Sequence, residues 1–152
     1  MFNICIRMMG NRADAEDVLQ ESFIIAFKNL QQLKDAQQFA GWLKRIVINE
    51  CIKQSKKAIN TIAWDETAND KPDEEEEHWW QGIEMADIHH HIKSLPNGCR
   101  QIFTLYALED YSHKDIAAQM NISESTSKSQ YHRAKQLLKQ SLTKTLVANQ
   151  HG

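Results

Sequence analysis

Between Tyr111 and Leu138 the sequence leaves its backbone few choices. Ser112 stands three residues ahead of Asp115, the spacing at which a hydroxyl accepts from an orphan amide in a helix's first turn while the acid reaches back. The short helix this opens, His113–Met120, turns Ile116 and Ala117 inward, and a residue as small as Ala117 lets a neighbouring helix come close. Asn121 follows where a tight turn needs positive φ, a conformation Asn tolerates better than most residues. Ile122 is set to plug the core, and Ser123 to cap a second helix. That helix repeats Ser127, Tyr131, Ala134 and Leu138 along one side and shows Ser125, Lys128, Ser129, His132 and Arg133 on the other. The pattern is that of a helix-turn-helix. Hydroxyls and cations on the leading turns of a second helix suit base edges and phosphates in a DNA major groove. An αα-hairpin with a solvated polar face would read the same way. Ser127 is the discordant position, a hydroxyl where a core favours an aliphatic side chain.

The rest of the chain is as strongly helical. Only five Gly and two Pro occur among 152 residues, strand-like alternation is nearly absent, and Gln, Lys, Ala, Glu, Leu and Ile dominate, which favours helices. An all-α protein is expected, with two small helical domains joined by an acidic linker, the second domain a helix-turn-helix. The first, 1–57, holds helices over Met1–Met9, stopped by Gly10-Asn11, over Asp14–Leu30, and over Phe39–Lys57 after a polar, irregular stretch Gln31–Gln38. Val18, Leu19, Phe23, Ala26, Phe27 and Leu30 give the second of these its helical period. Residues 58–87 form the linker; Asn60–Glu77 is polar and acidic, contains Pro72 and has no usable period. Trp79, Trp80, Ile83 and Met85 open the next helix or dock on a partner. The second domain, 88–152, resumes the apolar period through Leu95-Pro96, Cys99, Ile102, Phe103 and Tyr106.

The net charge of −2 conceals three unlike segments. Met1–Lys57 and Leu95–Gly152 each carry +3, whereas Asp65–His91 carries −9. Two mildly basic bodies joined by an acidic strap remain compatible with nucleic acid. Three scattered cysteines, Cys5, Cys51 and Cys99, lack any C-x-x-C spacing; they are expected to be buried free thiols, in neither a disulfide framework nor a zinc site. His89-His90-His91 with His78 invites a metal reading, but three consecutive helical residues point in different directions, so a solvated helix end is expected and no metal or other cofactor. No stretch approaches a membrane span, and Met1–Gly10 lacks a signal-peptide layout. A cytoplasmic protein without membrane insertion is expected. With no Gly-rich phosphate loop and no nucleophile elbow, nothing here suggests an enzyme.

Leu95-Pro96 through Leu138, with Ser112…Asp115-Ile116-Ala117 and Ile122-Ser123…Thr126…Lys128-Ser129…His132-Arg133-Ala134, resembles region 4 of bacterial sigma factors of the extracytoplasmic-function (ECF) group. Asn11–Phe23, with Asp14-Ala15-Glu16-Asp17-Val18-Leu19-Gln20-Glu21, resembles region 2.2; Phe39–Lys57, with Trp42-Leu43…Arg45-Ile46…Asn49, resembles regions 2.3 and 2.4. Together these cover nearly all of the chain except the linker, in the family's order.

The resemblance implies a specificity subunit that binds core RNA polymerase and directs initiation at promoter DNA through −10 and −35 elements. Ser125, Thr126, Lys128, Ser129, His132 and Arg133 would face the −35 element. Lys44, Arg45, Asn49, Lys53 and Lys56 would face the −10 side, their cations neutralising phosphates. The Gln31–Gln38 stretch would form the pocket for a base flipped from the non-template strand, where unstacking costs a few kcal/mol. Asp14, Glu16, Asp17, Gln20 and Glu21 would dock on the polymerase, although the acids also complement their helix dipole, at about 0.3–1 kcal/mol each. Glu74–Glu77 is either a solvating tether or a strap for a basic RNA channel. An anti-sigma factor would target the exposed faces of both domains. The family also has a further helix ahead of residues matching Met1–Met9, so the first domain is expected to lack its first helix and to show an apolar face. Lys53 stands where the family often has Asp, and Ser127 and Gln130 replace the usual Val and Arg, which leaves the promoter sequence open. A free-standing helix-turn-helix regulator is the rival reading, but it has no use for Asp14–Glu21 and Phe39–Asn49.

Overall fold

A computed structural model of the protein describes residues 1–59 and 83–151. These form seven α-helices, two 3₁₀ turns and one π-helical turn, with no strand among the described residues, in agreement with the all-α expectation. The chain divides into two compact units, Met1–Ile62 and Ala63–Gly152.

In the first unit α1 (Phe2–Met9) ends at Gly10, whose φ of 82° is left-handed and whose N–H closes on the Ile6 carbonyl; glycine takes this conformation without steric cost. The next helix, α2 (Arg12–Lys28), starts and stops earlier than its apolar period suggested. The Asn11 side chain accepts from the Asp14 N–H at 2.9 Å, so the cap fixes the start. At the other end the Asn29 side chain donates to the Ile25 carbonyl at 2.9 Å, and the chain tightens into a 3₁₀ turn at Leu30–Gln32. A second such turn, Ala36–Gln38, leads into α3 (Phe39–Ile59). The supposedly irregular Gln31–Gln38 stretch is thus partly ordered, with the Asp35 carboxylate accepting from the Gln37 N–H at 2.9 Å.

The buried side of α2 is Ala15, Val18, Ser22 and Ala26. Small side chains there let α1 and α3 pack closely, and the Ser22 hydroxyl hides by donating to the Val18 carbonyl at 2.7 Å. This leaves the larger apolar residues of the predicted period outside: Phe23 is 45%, Phe27 81% and Leu30 46% exposed. The period marked the helix, and of its residues Val18 and Ala26 face inward while Phe23, Phe27 and Leu30 do not. On α3 Leu43, Val47 and Cys51 form a buried stripe, joined by Ile48 and Ile52, and α1 contributes Ile4, Cys5 and Met8.

The second unit begins with α4 (Met85–Lys93), followed by α5 (Asn97–Phe103), a π-helical turn at Thr104–Leu108, α6 (His113–Met120) and α7 (Glu124–Gln150). Ile88, Ile92, Leu95, Cys99, Phe103, Ala134 and Leu138 form its core, with Ile83 packed at the edge. The Leu95-Pro96 corner is clasped from within by buried Arg100, which donates to the Leu95 carbonyl at 3.2 Å and to Asn97 Oδ1 at 2.6 Å. Burial disfavours the Arg100 charge and lowers its pKa. Helices α3 and α4 both reach into the 58–87 stretch read as linker. Trp79, Trp80, His78, the start of the acidic tract and Glu74–Glu77 lie outside the described residues.

Candidate nucleic-acid interface

The helix-turn-helix forms by the expected local chemistry. Ser112 Oγ accepts from the Asp115 N–H at 3.1 Å, and Asn121 adopts φ 56°, ψ 48° as its N–H closes on the Ala117 carbonyl. Ser123 Oγ caps α7, accepting from the Thr126 N–H at 3.0 Å. Inward, Ile116, Met120, Ser127, Ala134 and Leu138 are buried, while Tyr131 is half-buried and its ring lies 5.7 Å from that of Phe103.

Of the six residues expected to face a groove, Ser125 and Lys128 are exposed and Thr126, Ser129, His132 and Arg133 half-buried. Three of the hydroxyls already serve α7 itself. Ser125 and Thr126 hydroxyls meet Ser123 Oγ at 3.1 and 2.7 Å, and the Ser129 hydroxyl donates to the Thr126 carbonyl at 3.1 Å. Lys128, His132 and Arg133 are therefore the larger side chains on that face. Lys128 Nζ sits 3.5 Å from Glu124 Oε1 across exposed side chains, an ion pair of the sort worth at most about 1 kcal/mol and easily exchanged for another anion. Gln130, which stands where the family often has Arg, is instead buried and its Oε1 accepts from the Cys99 thiol at 3.1 Å.

In the first unit Arg45, Asn49, Lys53 and Lys56 form the exposed side of α3, and Lys44 is half-buried beside them. Lys53 Nζ approaches Glu50 Oε1 at 3.9 Å, too long for a strong pair. Where α3 begins, the two 3₁₀ turns fold over it to leave a cleft of about 580 Å³ lined by Gln32, Leu33, Lys34, Gln37, Gln38, Gly41, Trp42 and Arg45. The lining combines an indole, three side-chain amides and two cations, the groups that stack on, hydrogen-bond to and neutralise a nucleotide. The sequence singled out the stretch Gln31–Gln38, but Trp42 and Gly41 as its opposite wall come from folding.

Asp14, Glu16, Asp17, Gln20 and Glu21 are all exposed. Asp14 also accepts from the Asn11 side chain at 2.7 Å and Glu16 pairs with Arg12 at 2.7 Å, so part of this cluster stabilises the helix start. Further along α2 the acids give way to exposed Phe23, Ile24 and Phe27, an apolar patch on the same helix. Among the histidines, His91 Nε2 meets Thr145 Oγ1 at 3.2 Å and the His90 and His91 rings lie edge to face. No group of three or more potential metal ligands converges among the described residues, and no helix there is long and apolar enough to cross a membrane.

Residues 1–59 match the family model of Sigma-70 region 2, and residues 85–138 that of Sigma-70, region 4. The ECF RNA polymerase sigma factor SigE of Mycolicibacterium smegmatis is 30% identical over 95% of this chain, which spans 58% of that protein's length. The RNA polymerase sigma-H factor of Pseudomonas aeruginosa is 28% identical, with 93% of this chain and 80% of that protein covered. The ECF sigma factor SigW of Bacillus subtilis is also 28% identical, at 93% and 82% coverage. Among solved structures, the sigma factor RpoE of Bartonella quintana, in complex with the anti-sigma factor NepR, shares the fold with a TM-score of 0.57 at 20% identity, covering 93% of this chain and 89% of that one. Two family models in the expected order, on the two units that the fold separates, place the chain in one family: it belongs to the ECF group of RNA polymerase sigma factors.

Proposed function

We propose that this chain binds core RNA polymerase in the bacterial cytoplasm and directs promoter-specific initiation, gripping the −10 element with its first unit and the −35 element with its second. The observation that carries the reading is the amide-, indole- and cation-lined cleft of the first unit, continuous through Arg45 with the exposed Asn49, Lys53 and Lys56 side of α3. A free-standing helix-turn-helix regulator has no need of a second nucleotide-binding surface. The cleft takes a single unstacked base against Trp42, and the cations of α3 track the adjoining phosphates. On the second unit Lys128, His132 and Arg133 enter the groove, positioned by the phosphate and hydroxyl contacts around the start of α7.

Docking on polymerase falls to α2, where exposed acids and the exposed Phe23, Ile24 and Phe27 lie along one helix. The same exposed surfaces are the target for an anti-sigma factor. Run-off transcription with core polymerase on genomic promoter fragments tests the reading. Promoter-specific transcripts that depend on the added chain are expected. Sequence-specific duplex binding without any such transcript would favour the regulator instead.

A further inference from the structure

His113 is the first residue of α6, and Ser127 lies in the opening turn of α7. The Ser127 hydroxyl is 2.8 Å from His113 Nδ1, and neighbouring rings keep the imidazole from turning away. Tyr106 is stacked on it with centroids 4.1 Å apart and planes 14° from parallel, and the Tyr131 ring meets it at 62°. Tyr106 also leans on Tyr131 at 4.6 Å, and Tyr131 in turn stacks on Phe103 of α5. Tyr106 belongs to the π-helical turn at Thr104–Leu108, where the Glu109 N–H reaches back to the Thr104 carbonyl at 3.1 Å. Such an i→i+5 turn re-aims the side chains it carries, and here it delivers Tyr106 to His113. Three elements thus converge on one buried hydrogen bond, at a place where an aliphatic side chain would fill the same space.

We propose that His113, clamped by Tyr106, is a positioning residue for DNA reading: its bond to Ser127 fixes the rotation of α7 about its own axis, and with it the direction in which Lys128, His132 and Arg133 point; this rests on that face being the −35 grip. A directional contact restrains what an apolar one does not. The other buried residues on this side of α7 include Ala134, Leu138 and Leu142, whose attraction is non-directional and changes little over a small roll. A hydrogen bond weakens steeply as its angle departs from linear, and leaving a buried polar group unpaired is costly. Ser127 adjoins Lys128, and His132 and Arg133 follow within two turns, so the restraint acts beneath the face that reads bases. A roll of about 15° at a radius of about 6 Å moves a side chain by roughly 1.5 Å, more than a hydrogen bond to a base edge tolerates. Attraction to phosphate falls off slowly with distance and survives such a shift. The pair therefore governs sequence preference and leaves general affinity for DNA alone.

Holoenzyme is titrated with two duplex probes: a fragment that supports chain-dependent run-off transcription, and the same fragment with its −35 element scrambled. In His113→Phe with Ser127→Val both polar groups go, the space stays filled and every Lys and Arg is kept. The ratio of affinities for the two probes, read by fluorescence anisotropy, should fall roughly five- to tenfold, the low end of what one lost base contact costs. Affinity for the scrambled probe, its salt slope and the thermal midpoint of the free chain should stay near the wild-type values. Tyr106→Phe keeps the stack and should keep the ratio, whereas Tyr106→Ala frees the imidazole and should lower it as the double variant does. A wild-type ratio in the double variant, an equal loss on both probes, or Tyr106→Phe as poor as Tyr106→Ala would overturn the proposal. Should the double variant fail to fold, the Tyr106 pair decides alone: equal ratios in Tyr106→Ala and Tyr106→Phe would sink it. Wild-type holoenzyme that binds both probes alike would overturn the −35 reading itself, and the proposal with it.

Discussion

The Ser127 hydroxyl lies 2.8 Å from Nδ1 of His113, joining the two helices of the helix-turn-helix from inside. Ser127 is fully buried, and the bond explains a hydroxyl at a position where packing alone would favour Val. The His113 ring is stacked on Tyr106 at 4.1 Å and meets the Tyr131 ring edge-on at 5.7 Å, so the acceptor and donor are held in register by aromatic packing. Burial, together with the neighbouring Tyr106 hydroxyl, pushes Tyr131 up to about 12; it stays neutral at any ordinary pH.

Ser127→Ala should therefore destabilise the second unit by roughly 1–2 kcal/mol, because it leaves an imidazole nitrogen without its partner. Removing both polar groups, in His113→Phe with Ser127→Val, should recover most of that loss. Urea denaturation of the four members of the cycle measures the coupling; strict additivity would mean that the bond contributes nothing.

His113 also predicts a pH dependence. Its pKa is lowered from 6.5, first by burial and then by the Lys128 charge, with Glu124 opposing. The unfolded chain thus takes up this proton before the folded one does. Stability is full above the unfolded value of 6.5 and declines as pH falls from there toward the lower folded value. Denaturation midpoints of the wild type should fall more steeply between neutral and mildly acidic pH than those of the His113→Phe, Ser127→Val variant. Parallel curves would remove His113 as the cause.

Much of this was legible in advance, and the limits were physical. Capping and turn residues act locally, so Ser112, Asn121 and Ser123 declared their roles from sequence alone. Facing does not. Phe23 and Phe27 keep the helical period of α2 yet lie outside, because Ala15, Val18, Ser22 and Ala26 allow closer packing on their own side. The partners of Ser127 and Gln130 are His113 and Cys99, residues far away in sequence, and no local pattern names them. The cleft was half visible: its glutamine-rich rim is a contiguous stretch, while Trp42 and Arg45 join it only because α3 turns back beneath the 3₁₀ turns.

Gly41 separates stability from cleft function. A Cβ there would meet nothing within 4 Å, and Ala is favoured over Gly in a helix by roughly 0.5–1 kcal/mol. Gly41→Ala should raise the thermal midpoint. Its methyl would stand in the cleft wall, so open-complex formation on a promoter fragment, followed by permanganate footprinting, should weaken at the same time. A stabler variant with undiminished melting would mean that no base enters there.

Charge on the two proposed DNA-reading surfaces should be separable by salt. Arg45→Ala and Lys128→Ala should each reduce the slope of log affinity against log salt by about one for holoenzyme on promoter DNA. Arg45→Ala should do so on fragments truncated to the −10 element, Lys128→Ala only when the −35 element is present. Fluorescence anisotropy across a salt series measures both.

Phe27 is 81% exposed, so Phe27→Ser should change folding stability by no more than about 0.5 kcal/mol. If α2 docks on polymerase, the same variant should assemble less well with core enzyme in a pull-down while its isolated binding to duplex DNA is unchanged. Normal assembly would move the docking surface elsewhere.

Helix α7 runs from Glu124 to Gln150, roughly 40 Å at 1.5 Å per residue. It acts as a single lever. Its far end is fastened to α4 through the Thr145–His91 contact, and the exposed Lys128, proposed for the groove, sits about 25 Å away. A tilt of a few degrees at the fastening would swing that side chain by roughly 1–2 Å, enough to spoil a hydrogen bond to a base edge. If α7 reads the groove through Lys128, its aim is therefore set partly by a joint about 25 Å from that side chain.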